Sequence, residues 1–370
     1  MLIGIDASRY GHETATGVER YSFYIINGLL KKVSEQHKHK LLLYSRGTLK
    51  LPKDVPTVNT EFKEIKRKKF WTQIGLSKEM KKSPPDRLFV PSHTLPRTFP
   101  KESIITIHDV AFKHLKKSYS FTQYLLLDQS TKQACRKAWK IIVPSICTKQ
   151  DLIHFYKCPE EKIVVIPHGY EPLRDLYMNE QQENEVLEQF HLKPDDKYIF
   201  FVGRLETKKN IENLLKAFAG FVTNHPEWKL VLCGKRGIGF KNIFKIAGKL
   251  EIWENVLMPG YITDAEKCVL FKHCQFFAFP SLYEGFGFPI LEAFSHGKAV
   301  LTSRVSSIPE VAGEAVYYTN PDDIQIMTHD IERLANDTDL RKTLEHKASE
   351  QLEKFNWDDT IEKTWKILTE

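Results

Sequence analysis

SLYEGFGFPILEAF, residues 281–294, places Glu284 and Glu292 eight positions apart with two glycines and a proline between them. The apolar run CQFFAFP precedes this stretch, and ILEAFSHGKAV reads as a short amphipathic segment that ends at Gly297. The pattern predicts a buried strand, a tight glycine turn and a helix whose first residue is Pro289, since proline there loses only an N–H that would be unpaired anyway. We therefore expect a loop that brings both carboxylates to one ligand.

The chemistry of this motif suits a phosphorylated sugar. Free N–H groups at the start of the helix, near Phe288, form a natural phosphate site. Gly285 and Gly287 let the backbone approach a ligand where a Cβ would collide. Glu284 is expected in the loop and Glu292 on the first helical turn, and carboxylates accept hydrogen bonds from sugar hydroxyls. Two solvated glutamates beside an ordinary turn would not need the glycines or the proline.

The whole chain predicts an α/β protein with two domains. At 370 residues it has the length of about two domains. Strand-length apolar runs alternate with amphipathic segments, which indicates parallel sheets covered on both faces. The pattern restarts after the stretch PHGYEPLRD, residues 167–175. We predict two Rossmann-like, doubly wound domains, 1–168 and 169–354, that face a central cleft, because ligands bind beyond the carboxyl ends of parallel strands.

Three further motifs fall at predicted strand ends. In FFVGRLETKKN, Arg204 and Lys209 follow a strand and precede a helix, which suits a diphosphate. In SIITIHDVAF, His108 follows another strand, and in GHETATGVERY, Gly17 lies at a helix start that can cradle a phosphate or sugar. A charge run is usually a solvated surface and a lone histidine is usually structural. Their shared position at one cleft favours a functional role.

Other features set limits on function. The formal net charge of +7 suits phosphate-bearing ligands or an anionic membrane surface. No apolar stretch approaches the roughly 18 residues of a spanning helix and the N-terminus lacks signal-peptide features, so we expect a cytoplasmic protein. Six cysteines without a C-x-x-C pair indicate neither a zinc site nor a disulfide framework. The single D-x-D, at 337–339, lies between helical segments with Asp339 as the expected N-cap, so we expect no metal. We interpret GKRGIG, residues 234–239, as a simple loop.

The segment FKEIKRKKFW, residues 62–71, holds five cations beside Phe62, Phe70 and Trp71. Such a segment can lie on the cytoplasmic face of an anionic inner membrane, at about 1 kcal/mol per cation near the surface. A solvated basic loop explains it equally well.

Taken together, the motifs resemble the family 4 retaining glycosyltransferases, which have the GT-B fold. The resemblance runs from TGVERY through IHD, VPS, IPHG, GRLETKKN and PGYITDAE to PSLYEGFGFPILEA, nearly the whole chain. It implies that the C-terminal helix, 355–370, packs back on the N-terminal domain, with Trp357, Ile361, Trp365 and Leu368 on one face. Two departures are Thr16 before Gly17, where many relatives have glycine, and His168, where many have asparagine.

The resemblance also implies a role for each candidate residue. The C-terminal domain would hold a nucleotide sugar and the N-terminal domain the acceptor. Glu292 would bind the ribose hydroxyls, and Glu284 the hydroxyls of the donor sugar. Arg204 and Lys209 would neutralise the leaving diphosphate. The remaining donor-binding positions are the backbone of Gly285, Phe286, Gly287 and Phe288 near sugar and diphosphate, that of Tyr261 and Ile262 near the base, His108 beside the transferred sugar, and Gly17 near the diphosphate.

The implied function is metal-independent transfer of a hexose with retention, without a cofactor, to a saccharide or lipid-linked acceptor in surface polysaccharide or lipopolysaccharide assembly. The motif variants resemble mannosyltransferases, so GDP-mannose is the first expectation for the donor and UDP-linked sugars the second. Retention by same-face attack is favoured over a covalent intermediate on Glu284. A nucleotide-sugar epimerase and an inactive sugar-nucleotide-binding partner protein are the alternatives. Nucleic-acid binding is not expected, because the basic residues are spread over both halves.

Overall fold

The structure, a computed structural model, describes residues 1–11, 17–172 and 178–370. The chain divides into two compact units. The first contains Met1–His114, Ser120–Gly169 and Phe355–Glu370, and the second contains Leu115–Tyr119 and Tyr170–Lys354. Each unit is built around one parallel sheet.

The sheet of the first unit has seven parallel strands in the order β3-β2-β1-β4-β5-β6-β7. They are β1 (Leu2–Asp6), β2 (Lys40–Ser45), β3 (Thr60–Glu64), β4 (Arg87–Val90), β5 (Glu102–Thr106), β6 (Lys140–Val143) and β7 (Ile163–Val165). The central strands are continuous apolar runs because helices cover both faces of a parallel sheet. Ile5, Phe89 and Ile142 are accordingly fully buried in one core.

The helices of the first unit are α1 (Gly17–Gln36), α2 (Ser77–Lys82), α3 (Ala111–His114), α4 (Phe121–Lys137), α5 (Ile146–Tyr156) and, at the end of the chain, α14 (Trp357–Thr369). A π-helical segment, Trp71–Leu76, precedes α2. Local sequence explains where the longer helices start. Ser120 caps α4 in a capping box with Gln123, and Ser145 caps α5.

Helix α14 packs against α1 within the first unit. The side chains of Trp357, Ile361, Trp365 and Leu368 are buried in the core that α1 and the sheet share. A Cβ on Gly28 would lie 2.1 Å from Ile361 Cδ1, so the two helices meet closely at this glycine. Trp365 Nε1 donates to Gln36 Oε1 at 3.0 Å.

The sheet of the second unit has six parallel strands in the order β10-β9-β8-β11-β12-β13. They are β8 (Lys197–Val202), β9 (Trp228–Cys233), β10 (Val256–Gly260), β11 (Phe276–Phe279), β12 (Val300–Ser303) and β13 (Tyr317–Thr319). The helices are α6 (Glu180–Gln189), α7 (Ile211–Val222), α8 (Phe240–Lys249), α9 (Asp264–His273), α10 (Phe288–Ser295), α11 (Ile308–Ala312), α12 (Ile324–Asn336) and α13 (Thr338–Leu352). The strand order reverses between β8 and β11, and such a switch point is where open α/β sheets bind ligands.

Two local predictions need correction. Helix α10 begins at Phe288, so Pro289 is its second residue, and Glu292 is its fifth residue and lies beyond the first turn. Asp337 rather than Asp339 caps α13, because Asp337 Oδ1 accepts from the Leu340 N–H at 2.8 Å.

Candidate active site

The loops after β8 and β11 meet at the switch point of the second unit. The Leu282 N–H donates to the Lys208 carbonyl at 2.9 Å, and Ser281 Oγ donates to the same carbonyl at 3.2 Å. Lys209, on the first loop, and Glu284, on the second, are thereby held next to each other. The two motifs that the sequence placed at strand ends thus form one local structure.

Glu284 is a buried carboxylate with two short contacts. Lys209 Nζ and Ser281 Oγ each donate to Glu284 Oε1 at 2.5 Å. Its backbone is fixed as well, since the Glu284 N–H donates to Ser306 Oγ and Ser307 Oγ donates to the Glu284 carbonyl, both at 2.8 Å. With the side chain only 9% exposed, the ion pair with Lys209 is partly shielded from water. Glu284 is therefore rigidly oriented before any ligand binds.

The glycine turn between the two glutamates is built for close approach. Gly285 and Gly287 are buried, and Gly287 has φ 121°, a left-handed conformation that favours glycine, at the N-cap of α10. Ser307 Oγ donates to the Phe286 carbonyl at 3.0 Å, and the rings of Phe286 and Phe288 stand edge to face with centroids 5.3 Å apart. The Ile290 N–H donates to the Gly287 carbonyl at 3.0 Å, so α10 starts directly at the end of the turn that carries Glu284.

Glu292 has a cationic partner that sequence reasoning missed. Lys267, from α9, donates from Nζ to Glu292 Oε1 at 3.0 Å and lies 2.9 Å from Asp264 Oδ1. The Lys267 and Glu292 side chains are 7% and 11% exposed. Lys267 lies one turn after the Thr263 capping box. The sequence around it did not predict this contact, because its partner comes from a different helix.

Arg204 lies on the loop after β8. This loop is hydrogen-bonded to residues 234–239, the segment predicted to be a loop. The Leu205 N–H donates to the Lys235 carbonyl and the Gly237 N–H to the Leu205 carbonyl, each at 2.9 Å. Gly234 has φ 141°, and a Cβ there would lie 1.7 Å from the Gly203 carbonyl oxygen, so only glycine fits. Residues 234–239 form a loop, as predicted, and this loop is hydrogen-bonded to the segment that carries Arg204.

The predicted base-binding positions follow β10. The Tyr261 ring is half exposed, and Lys235 Nζ lies 4.7 Å from its centroid, which is within cation–π range. Ile262 is buried. A glycine follows β8 and β9 and ends β10, and the residues after these glycines, Arg204, Lys235 and Tyr261, lie at one edge of the sheet. Lys235 is a second cation that sequence reasoning missed.

Two predicted site residues belong to the first unit. Gly17 is the first residue of α1, while positions 12–16 of the loop that precedes it, including Thr16, lie outside the described residues. His108 is buried, with Nδ1 3.1 Å from His168 Nε2 and Nε2 3.1 Å from the Pro91 carbonyl. Burial, followed by the nearby charge of His93, lowers the pKa of His108 to about 3. His108 is therefore uncharged at neutral pH.

Within the ranges 1–11, 17–172 and 178–370, no group of three or more His, Cys, Asp or Glu side chains is arranged to hold a metal ion. In the same ranges, no helix has the length and apolar character needed to cross a bilayer.

The basic segment 62–71 has a mixed surface. Lys66, Arg67 and Lys68 line, together with Arg46, a surface cavity of about 500 Å³. Phe70 is 69% exposed and Phe62 47% exposed. Trp71 is buried instead, and its Nε1 donates to the Ile65 carbonyl at 3.0 Å. Trp71 is thus part of the fold rather than of this surface.

Comparison with known proteins agrees with this architecture. The Glycosyltransferase Family 4 model matches residues 15–174, and the model of glycosyl transferases group 1 matches residues 182–351. The crystal structure of WaaG, a glycosyltransferase involved in lipopolysaccharide biosynthesis, has a TM-score of 0.74 and 17% identity over 99% of both chains. Anabaena Alr3699/HepE in complex with UDP and glucose has a TM-score of 0.73 and 17% identity, over 100% of this chain and 99% of that chain.

Curated relatives include mannosyltransferases. O-antigen chain mannosyltransferase B of Escherichia coli is 27% identical over 74% of this chain and 71% of the relative. The serotype-specific mannosyltransferase WbdA of Escherichia coli is 28% identical over 60% of this chain. The capsular polysaccharide biosynthesis glycosyltransferase CapM of Staphylococcus aureus is 26% identical over 68% of this chain. The matched regions span 28% of WbdA and 65% of CapM.

The two parallel-sheet units and their structural neighbours show the GT-B fold, and the family models and curated relatives show a glycosyltransferase. More narrowly, the chain belongs to the family 4 glycosyltransferases.

Proposed function

We propose that this glycosyltransferase moves a hexose from a nucleotide sugar to a saccharide or lipid-linked acceptor, with retention and without a metal or cofactor. The observation that carries the proposal is the buried Lys209–Glu284 pair beside the start of α10. A cation, a fixed acceptor and a helix start at one switch point suit a sugar diphosphate.

The diphosphate would be held by charge without a metal. Breaking the bond from the sugar C1 builds negative charge on the leaving phosphate, and preorganised donors stabilise that charge. Removing one such donor typically costs about 2.7–4 kcal/mol in the transition state. Lys209 is paired with Glu284, while Arg204 is exposed on the same loop as Lys209. We therefore assign to Arg204 the larger share of diphosphate binding, and to Lys209 the orientation of Glu284.

The contacts of Glu284 favour same-face attack. A carboxylate that already accepts from Lys209 and Ser281 through Oε1 suits binding of sugar hydroxyls better than nucleophilic attack on C1. The departing phosphate would take the proton of the acceptor, and the sugar would keep its configuration. A glycosyl ester trapped on Glu284 would contradict this mechanism.

GDP-mannose is the proposed donor, and Glu292 the proposed ligand of the ribose hydroxyls. The names of the matched O-antigen mannosyltransferases support mannose, and HepE in complex with UDP and glucose keeps UDP-linked sugars as the second candidate. The relatives named for O-antigen and capsule also support a role in surface polysaccharide assembly. The basic surface of residues 66–69 with exposed Phe70 supports peripheral contact with the anionic cytoplasmic face of a membrane, where a lipid-linked acceptor would lie.

Calorimetry with GDP, UDP, ADP and dTDP in the presence of EDTA tests the donor site. We expect one nucleotide to bind at micromolar concentration, and Glu292→Ala to weaken it at least about tenfold, since the ribose hydroxyls lose an acceptor. Glu310→Ala, at an exposed position on α11 of the same unit, is the control. Binding of none of these nucleotides, or binding that needs a divalent ion, would favour the inactive partner protein.

Product analysis separates transfer from epimerisation. The donor is incubated alone and then with candidate acceptors. We expect a changed sugar only when an acceptor is present. Conversion of the nucleotide sugar in the absence of any acceptor would establish the epimerase instead.

A further inference from the structure

Three histidines lie together in the first unit, each after a strand of the same parallel sheet. His93 follows β4, His108 follows β5 and His168 follows β7. The ring centroid of His108 lies 5.2 Å from that of His93 and 5.2 Å from that of His168. His108 and His168 are 8% and 1% exposed, so their ring nitrogens depend on protein partners.

The partners determine where each proton lies. The Pro91 carbonyl can only accept, so the His108 Nε2 that lies 3.1 Å away carries a proton. His108 Nδ1 then has a lone pair, which accepts from His168 Nε2–H at 3.1 Å. His93 Nε2 accepts from the backbone N–H groups of His108 and Asp109, at 3.2 and 3.4 Å, and so carries no proton.

We propose that His93 and His168 are positioning residues that hold His108 neutral, in its Nε2–H tautomer, while a sugar is transferred. The catalytic part of this inference rests on the function proposed above. Protonation of His108 Nδ1 would require His168 to shift its own proton from Nε2 to Nδ1, and it would place a charge in a buried site. A neutral ring is what the expected role of His108 beside the transferred sugar requires, because C1 becomes positively charged in the transition state and an imidazolium would oppose that charge.

The surroundings of the three histidines hold them in place. The ring of Tyr21, from α1, meets His108 edge to face at 4.9 Å and packs on His168 at 4.5 Å. The Tyr21 hydroxyl is hydrogen-bonded to Thr106 Oγ1 at 3.2 Å. Asp109 Oδ1 accepts from the Ala111 N–H at 3.0 Å, which holds this carboxylate within its own turn.

Helix α14 secures the loop that carries His168. Thr360 Oγ1 donates to the Pro167 carbonyl at 2.8 Å. A Cβ on Gly169 would lie 2.4 Å from the Trp357 backbone nitrogen, so this glycine lets the helix start touch the loop. The sequence marked His168 only as a departure from the asparagine of many relatives, and the structure gives it a contact with His108.

Nitrogen NMR of the full chain labelled with ¹⁵N-histidine tests the tautomer directly, with His108→Gln used to assign the resonances. We expect wild-type His108 to show a protonated Nε2 and not to titrate between pH 8 and pH 5. In His168→Leu we expect the Nδ1 lone pair to become protonatable, with a midpoint that moves up into the range between pH 8 and pH 5. His168→Asn keeps a donor and should preserve the wild-type tautomer, and His346→Leu, on the exposed surface of α13, is the control.

Transfer kinetics test the positioning role. Between pH 8 and pH 5.5, we expect the loss of kcat in His168→Leu to be about ten times the loss in the wild type. KM should stay nearly unchanged, and His168→Asn should behave like the wild type. If His168→Leu does not fold, His168→Met is measured in the same way, and a protonatable Nδ1 on His108 is the expected result.

Each outcome has a distinct meaning. A protonated Nδ1 on wild-type His108, or an unchanged titration in His168→Leu, would overturn the inference. The expected NMR result together with an unchanged pH profile would overturn the positioning role alone. Absence of transfer from every nucleotide sugar would remove the proposed function and the positioning role together, while the NMR result would stand on its own.

Discussion

Lys267 Nζ lies 3.0 Å from Glu292 Oε1, which ties a buried glutamate of α10 to a buried lysine of α9. The same ammonium contacts Asp264 at 2.9 Å. The arrangement fixes the orientation of the carboxylate proposed to bind ribose, and it links that carboxylate to the start of α9, where Tyr261 and Ile262 precede the helix. The lysine is therefore as important for the proposed nucleotide site as the glutamate itself.

The first prediction concerns removal of this lysine. Lys267→Met leaves Glu292 buried without its cation, and breaking a buried pair costs about 3–5 kcal/mol when one partner remains. We expect a large loss of unfolding free energy in urea and at least tenfold weaker nucleotide binding by calorimetry. Lys342→Met, at an exposed position on α13, is the matched control. If a folded Lys267→Met protein bound the nucleotide with unchanged affinity, Glu292 would not be a ligand of the nucleotide.

The second prediction concerns the coupling between Lys209 and Glu284. Because they form one ion pair, Lys209→Met and Glu284→Gln should each lower kcat strongly, and the double variant should lose little more than the worse single variant. We expect a coupling free energy above about 1.5 kcal/mol in a double-mutant cycle on transfer rates. Additive losses would mean that the two residues contact the substrate independently.

Much of this architecture could be predicted from the sequence, and the missing parts have a common cause. Apolar runs and capping residues are local signals, which explains why Glu284, Arg204 and Lys209 could be placed at strand ends. The contact between Lys267 and Glu292 joins two helices, and its existence depends on how those helices pack. No periodicity or spacing in the sequence encodes that packing.

The histidines illustrate the same limit. His108 was selected by its position after a strand, which is a local feature. His93 and His168 come from other strand ends, and their contacts follow from the β4-β5-β6-β7 order of the sheet. Gly234 was likewise missed, since its need for glycine comes from the Gly203 carbonyl on the neighbouring strand.

The third prediction concerns Gly169. Its missing Cβ leaves room for the backbone of Trp357, so Gly169→Ala would force α14 away from the loop that carries His168. We expect a loss of about 1–3 kcal/mol in unfolding free energy, the usual cost of overpacking, and faster proteolysis near residue 355. Gly47→Ala, where no atom lies within 4 Å of the added Cβ, should change stability little. Equal stability of the two variants would show that α14 is not held by this contact.

The fourth prediction is acid sensitivity of the folded state. Burial lowers the pKa of His108 to about 3 and that of His168 well below its ordinary value, so both stay neutral in the folded protein. The unfolded chain takes up protons below its histidine pKa of about 6.5, and stability is therefore lost as the pH falls from 6.5 toward the folded pKa. For His108 alone this linkage amounts to about 2 kcal/mol at pH 5.

Urea unfolding at pH 7.5 and pH 5 measures this loss. His108→Gln should reduce the difference in unfolding free energy between the two pH values, because glutamine does not titrate, even if it lowers stability at both. His346→Gln, whose side chain is 79% exposed, should leave the difference unchanged. If His108→Gln showed the full wild-type difference, His108 would have to be protonated in the folded protein at pH 5. The proton positions deduced from Pro91 and His168 would then be wrong.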